Sequence, residues 1–178
     1  MIYEKIRQTY NGDLANMLLE VIDTAQDAII TIDENQTIVL FNQTASHIFG
    51  FLPEEMLGKN LGELLPEYVR NIHQEYIKKF DEEHPDQNSS SIIHALNRKE
   101  LHGLRKDGEE FPCEISISKS IFKGNKYFTA IVRDISIRVQ QEEKIRLQED
   151  ELAKYRIAKK AELIDQLQKV KSKSAEIK

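Results

Sequence analysis

The sequence predicts an α+β fold. It has a five-stranded antiparallel sheet with short helices on one face, N-terminal helices before it and a long C-terminal helix after it. Three observations predict this. Two β-branched runs, residues 28–32 and 37–41, flank the polar turn Asp33-Glu34-Asn35-Gln36. Three more strand-like runs follow late in the chain, separated by Asp107-Gly108 and Lys123-Gly124-Asn125-Lys126. Residues 137–170 then contain no proline or glycine and are dominated by Glu, Lys, Gln, Arg and Leu, a composition that favours helix.

The elements follow in order. Residues 2–10 read as a short helix ended by Asn11-Gly12. Asp13 is placed to cap a second helix to about Thr24, with Leu14, Met17, Leu18 and Val21 on one apolar face. The first hairpin comes next. Residues 43–49 form a short helix with Ala45, Ile48 and Phe49 inward, stopped by Gly50. Pro53 and Gly58 bracket a helical turn, and residues 60–64 form another. Pro66 opens a longer helix to about Glu83, in which Val69, Ile72, His73, Tyr76, Ile77 and Phe80 recur at helical spacing. Residues 84–90 read as a polar loop. The three closing strands are expected at 91–105, 110–122 and 126–135. In the second, Ile115, Ile117 and Ile121 alternate with Ser116, Ser118 and Ser120, giving one buried and one wetter face.

The domain organisation is therefore a helical cap at 1–26, an α+β domain at 27–136 and a helix at 137–178. The helix carries Ile145 and Leu152 one heptad apart, and Ile157 and Ile164 one heptad apart, but the two pairs are out of phase. A coiled coil with an imperfect seam is expected, with a partly disordered tail as the alternative.

Composition narrows the function. Residues 1–135 hold 14 Lys/Arg against 22 Asp/Glu, a net −8, while residues 136–178 hold 11 against 8, a net +3. An acidic domain with a mildly basic helix argues against a dedicated nucleic-acid binder. No run approaches the 18 apolar residues of a membrane span, and the N-terminus lacks the apolar stretch of a secretory signal. A cytoplasmic location is expected, and the three Asn-x-Ser/Thr triplets at Asn35, Asn42 and Asn88 then carry no meaning. The single cysteine, Cys113, forms no internal disulfide and reads as structural.

The order of elements and several short motifs resemble the PAS family. The resemblance rests on Asp27-Ala28-Ile29-Ile30 with Asp33, on Phe41-Asn42-Gln43-Thr44-Ala45, and on Phe49-Gly50-Phe51 with residues 53–60. Arg105-Lys106-Asp107-Gly108-Glu109-Glu110-Phe111-Pro112 and Val132-Arg133-Asp134-Ile135-Ser136 complete it, over roughly residues 16–137. It implies the PAS fold, a pocket between sheet and longer helix, signalling through the exit helix, and a homodimer serving a separate output protein.

His73, in Ile72-His73-Gln74-Glu75-Tyr76-Ile77, resembles the proximal-histidine segment of haem-binding PAS sensors, the FixL-type oxygen sensors and the direct oxygen sensor phosphodiesterase. The resemblance implies a metal ligand at His73, with Ile72 and Tyr76 flanking the porphyrin and Ile115 and Ile117 lining the opposite side. Inward alternation along 91–105 would add Ile93, Ala95, Asn97 and Lys99. Asn97 stands near the place of the phosphodiesterase's distal methionine, and Lys99 near the family's distal arginine, a weaker and more hydrated donor. Lys79 stands near a second basic position. The alternatives are an interior filled by side chains, and flavin or another small molecule. Flavin photochemistry of the LOV kind is excluded, because Gly58-Lys59-Asn60 is followed by Leu61 where the reactive cysteine belongs.

Other chemistry finds no support in the sequence. His47, His84, His94 and His102 show no compact metal spacing. Glu54 and Glu55 suit a helix N-terminus rather than acid–base work. No P-loop, Gly-x-Ser-x-Gly or dinucleotide fingerprint is present, and residues 137–178 hold no histidine to accept a phosphoryl group. The chain is expected to be a sensor or, alternatively, a cofactor-free interaction module, and not an enzyme.

Overall fold

The computed structural model describes residues 12–83, 90–93 and 101–175. The helix expected at 2–10 lies outside them. The chain divides into two units, 1–136 and 137–178.

In the first unit, α1 (Gly12–Asp23) precedes the hairpin β1 (Ala28–Asp33) and β2 (Ile38–Phe41). Asp33 closes the turn by accepting from the Asn35 and Thr37 amides at 2.9 and 2.8 Å. Then come α2 (Gln43–Phe49), α3 (Pro53–Met56), a 3-10 turn (Leu61–Leu64) and α4 (Glu67–Glu83). Gly50 ends α2 in the left-handed region at φ 78°, its amide bonded back to Ser46. The closing strands are β3 (Ser90–Ile93), β4 (Leu101–Leu104), β5 (Glu110–Phe122) and β6 (Asn125–Asp134).

The sheet is antiparallel in the order β2-β1-β6-β5-β3, with β4 also on β5. β3 and β4 share one edge of β5, so five strand positions result, as the sequence predicts. The fifth position is not one continuous strand. Ile93 lies opposite Ile115 and Leu101 opposite Cys113, so eight residues along one chain answer to two along the other. Asn97 and Lys99, whose inward placement depended on unbroken alternation, fall in that interval and outside the described residues.

The inner face of the sheet and the short helices make the core. Ile30, Ile32, Ile38, Phe41, Phe49, Met56, Leu64, Phe80, Phe111, Phe128 and Val132 are buried together. Phe49 meets Phe111 edge-on with centroids 5.3 Å apart, a favoured geometry for aromatic pairs. Phe80 of α4 meets Phe128 of β6 in the same manner at 6.3 Å.

Asn42 joins three elements. Its side chain accepts from the Ile29 and Ala45 amides, both at 2.9 Å. It donates to the Ile22 and Asp27 carbonyls at 2.9 and 3.2 Å. It caps α2 while stapling the end of α1 and the start of β1, and all its polar capacity is used, which is what complete burial requires.

The apolar stripe of α1 differs from expectation. Leu14, Met17, Leu18 and Val21 are exposed, and Ala15 and Leu19 are the buried residues. Periodicity marks an apolar stripe on a helix but does not say which face the rest of the chain covers.

The second unit is one helix. α5 (Ser136–Ala175) runs 40 residues. Its apolar residues Ile145, Leu147, Leu152, Tyr155, Ile157, Leu163 and Ile164 are all exposed. Among the described residues no helix is long and apolar enough to cross a membrane.

Candidate ligand site on helix α4 and the inner sheet face

Helix α4 turns one side toward the sheet. Ile77 packs against the core cluster and Phe80 is buried in it. His73 lies one turn before Ile77 on this side and is half-buried. Its Nδ1 stands 3.1 Å from Oε1 of Gln36, a residue of the first hairpin turn held at φ 63°. In the tautomer whose Nδ1–H donates to this oxygen, Nε2 keeps the lone pair. Burial lowers the His73 pKa below its ordinary 6.5 and favours the neutral ring.

The other residues expected at the site divide into three groups. Ile115 and Ile117 lie on the inner face of β5 and pack, half-buried, against the core. Ile72 and Tyr76 are 41% and 57% exposed, on the side of α4 away from the core, so they do not share the side of the helix that carries His73 and Ile77. The reason is angular: on a helix, residues 72 and 76 are offset by about 100° from 73 and 77. Ile93 is placed by its backbone opposite Ile115. Lys79 is on the surface, 3.7 Å from Glu83.

Three features escaped the sequence reading. The first is Gln36. The second is Lys119, the next inward residue of β5 after Ile117, which is 2% exposed. Its Nζ lies 2.5 Å from Asp81 of α4, and Lys126 of β6 reaches the other Asp81 oxygen at 2.5 Å. The bonds from Lys119 and then Lys126 hold the Asp81 carboxyl below its ordinary value against the opposing effect of burial. Period-two alternation already puts Lys119 in the row of Ile115 and Ile117; the identity of its partner was not legible.

The third feature is Arg105. Its guanidinium stacks on Phe111, 4.0 Å from the ring centroid. It donates to the Ile48 carbonyl, to Glu109 at 3.1 Å and to Asp134 at 2.6 Å. Asp134 in turn accepts from the Ser136 amide at 2.8 Å, at the point where α5 begins. One side chain thus ties α2, the turn before β5 and the exit of β6. An open surface cleft beside it is lined by His47, Ile48, Phe49, Gly50, Arg105, Lys106 and Asp107, none of them from α4. Cys113, buried on the inner face, has its thiol pushed up to about 12, first by burial and then by Asp134, so it is inert.

Known proteins resemble this chain in sequence and fold. The family model described as a PAS domain matches residues 26–136. The chain is 34% identical over 133 residues to the sensor protein FixL of Bradyrhizobium diazoefficiens, covering 74% of this chain and 25% of that protein. It is 32% identical over 117 residues to the oxygen sensor protein DosP of Escherichia coli, covering 66% of this chain and 14% of that one. The chain thus spans a quarter or less of these relatives' length. Among solved structures, the PAS domain of an HTR-like protein from Haloarcula marismortui superposes with a TM-score of 0.59 at 22% identity, over 74% of this chain and 99% of that one. An RNA-binding light-oxygen-voltage receptor superposes at 0.56 with 18% identity, over 79% and 38%. With its antiparallel sheet order and a family match over residues 26–136, the chain belongs to the PAS domain family.

Proposed function

We propose that this chain is a signal-sensing and dimerisation module that takes haem at His73 for gas or redox sensing and passes its state to α5. The observation that carries the reading is the His73–Gln36 bond. An imidazole used as a metal ligand commonly donates its other N–H to an acceptor that fixes tautomer and ring orientation. Gln36 stands where it accepts such a bond in the tautomer that leaves Nε2 its lone pair. The similarity to an oxygen sensor protein supports the same reading.

Haem, if bound, would supply an iron that can bind an imidazole and a diatomic gas and can change oxidation state. The chain's own residues have the remaining tasks. His73 would hold the group and Gln36 would orient His73. Ile115 and Ile117 offer an apolar wall that excludes water. Asp134, bonded to Arg105 and to the first turn of α5, links the sheet to the exit helix. The module has no catalytic activity of its own and works in the cytoplasm as a homodimer, with a downstream signalling protein or domain supplying the output.

Reconstitution tests this. Protein titrated with hemin should develop a Soret band with one-to-one stoichiometry, and His73→Ala should lose it or shift it to the spectrum of a different ligation. An unchanged spectrum in His73→Ala removes the ligand assignment.

The second reading is a cofactor-free interaction module. The exposed stripe Leu14, Met17, Leu18 and Val21 on α1 favours it, because such a row is suited to a protein partner. A colourless protein that refuses hemin yet dimerises through α1 would decide for it.

A further inference from the structure

A lysine at 2% exposure is a costly residue to keep on the inner face of a small sheet. Lys119 holds this position by facing Asp81, so the charge is balanced from within the chain. Its setting is specific. Ile115, Ile117 and Lys119 are consecutive inward positions of β5, each about 7 Å from the next. Ala130 of β6 lies opposite Ile117, and Phe128 opposite Lys119. Ile115, Ile117 and Ala130 are only half-buried, although Phe111 and Cys113 earlier in the same row are closed over. The face therefore presents an apolar track that ends on a buried ammonium.

We propose that Lys119 is the anchor for a carboxylate on the ligand of this interior, and that Asp81 occupies the anchor as an internal stand-in when no ligand is bound. The ligand class is an apolar body bearing a carboxylate, whether the edge of a porphyrin or the end of a free aliphatic acid. The inference rests on the reading of the inner face as a ligand site, but not on iron or on His73. On arrival the ligand carboxylate takes the Lys119 ammonium, and Asp81 keeps Lys126, its more exposed partner. Lys119 stays paired in the exchange, because the ligand carboxylate replaces Asp81, and the added negative charge leaves each lysine with its own carboxylate. The end of α4 then passes from two lysine contacts to one, so occupancy changes how firmly that helix is held to β5.

The test compares each acid with its uncharged counterpart on the full chain. The probes are dodecanoate against dodecanol, and hemin against hemin dimethyl ester, with binding followed by calorimetry and, for hemin, absorbance. Wild-type protein should bind at least one acid and bind its uncharged counterpart about tenfold more weakly, the scale of one charge-assisted hydrogen bond. Lys119→Met should weaken the acid by a similar factor and leave the neutral probe unchanged. Asp81→Asn should tighten the acid, because the competing carboxylate is gone; a purely structural ion pair gives no such gain. Should Asp81→Asn fail to fold, Lys119→Met carries the test, since methionine fills a similar volume without a charge. Equal binding of acid and neutral probe, equal binding by Lys119→Met, or no binding of either acid by wild-type protein overturns the proposal. Dodecanoate bound in this pattern without hemin uptake keeps the anchor and removes haem. Hemin and its dimethyl ester bound equally, with loss in His73→Ala, keeps haem and removes the anchor.

Discussion

Arg105 reaches Asp134 across 2.6 Å, and the same aspartate receives the Ser136 amide at the head of α5. The residue that leaves the sheet is therefore held by a guanidinium that also stacks on the buried ring of Phe111. Arg105→Met should remove about 2 kcal/mol of stability, as loss of a charge-assisted bond from a partly buried carboxylate does. Burial raises the Asp134 pKa, but the bonds from Ser136 and Arg105 outweigh it and leave the carboxyl below its ordinary 3.8. Its contribution is present above that value and is lost as pH falls through the lower folded value. Urea unfolding at pH 7 and pH 3 should give a smaller difference between wild type and Arg105→Met at the second pH than at the first.

Asn42→Ala should cost about 2–4 kcal/mol, more than the roughly 1 kcal/mol of a helix cap alone. The excess arises because the amides of Ile29 and Ala45 lose their shared acceptor inside the protein. Asn42→Asp should stay well below wild type although it keeps the acceptor for both amides, because its second oxygen would face the Ile22 and Asp27 carbonyls. Chemical denaturation of the three proteins gives the comparison directly.

Gly103→Ala should destabilise by about 1–3 kcal/mol through overpacking. An added Cβ would lie 2.6 Å from the Phe111 ring, which is fully buried, and 3.2 Å from Phe49. Both rings are buried and must shift to admit it. Combining Gly103→Ala with Phe111→Leu should cost less than the sum of the two changes, measured as a double-mutant cycle of unfolding free energies.

Burial lowers the His73 pKa, so the unfolded chain takes up this proton first as pH falls below 6.5. Stability from the neutral ring is full above that pH and declines as pH drops toward the folded value. His73→Phe should flatten thermal stability between pH 7.5 and pH 5.5 relative to wild type. A slope unchanged by the substitution would count against a buried neutral imidazole.

Much of the architecture was legible because local physics and tertiary structure agree. The hairpin turn at residues 33–36, the Gly50 stop and the proline-led helices are short-range devices, and each formed where its residues stand. Alternation in β5 put Ile115 and Ile117 inward, and it placed Lys119 with them, although a buried lysine invites doubt until its partner is seen. The strand expected at 91–105 divided into β3 and β4, because strand propensity does not register an offset between partner strands. Ile72 and Tyr76 shared the helical spacing of the core residues yet faced outward, since spacing within one helix leaves its rotation open.

The sequence by itself determined the kinds of element, their order, the family and the long exit helix, because these follow from hydrophobic period, turn chemistry and motif order along the chain. Only the tertiary structure decided which polar and charged groups meet. Asp81 is 38 residues from Lys119, Gln36 is 37 from His73 and Arg105 is 29 from Asp134. Such pairings depend on strand register and helix rotation, which a linear pattern does not carry, and on the requirement that a charge removed from water find an opposite one within reach.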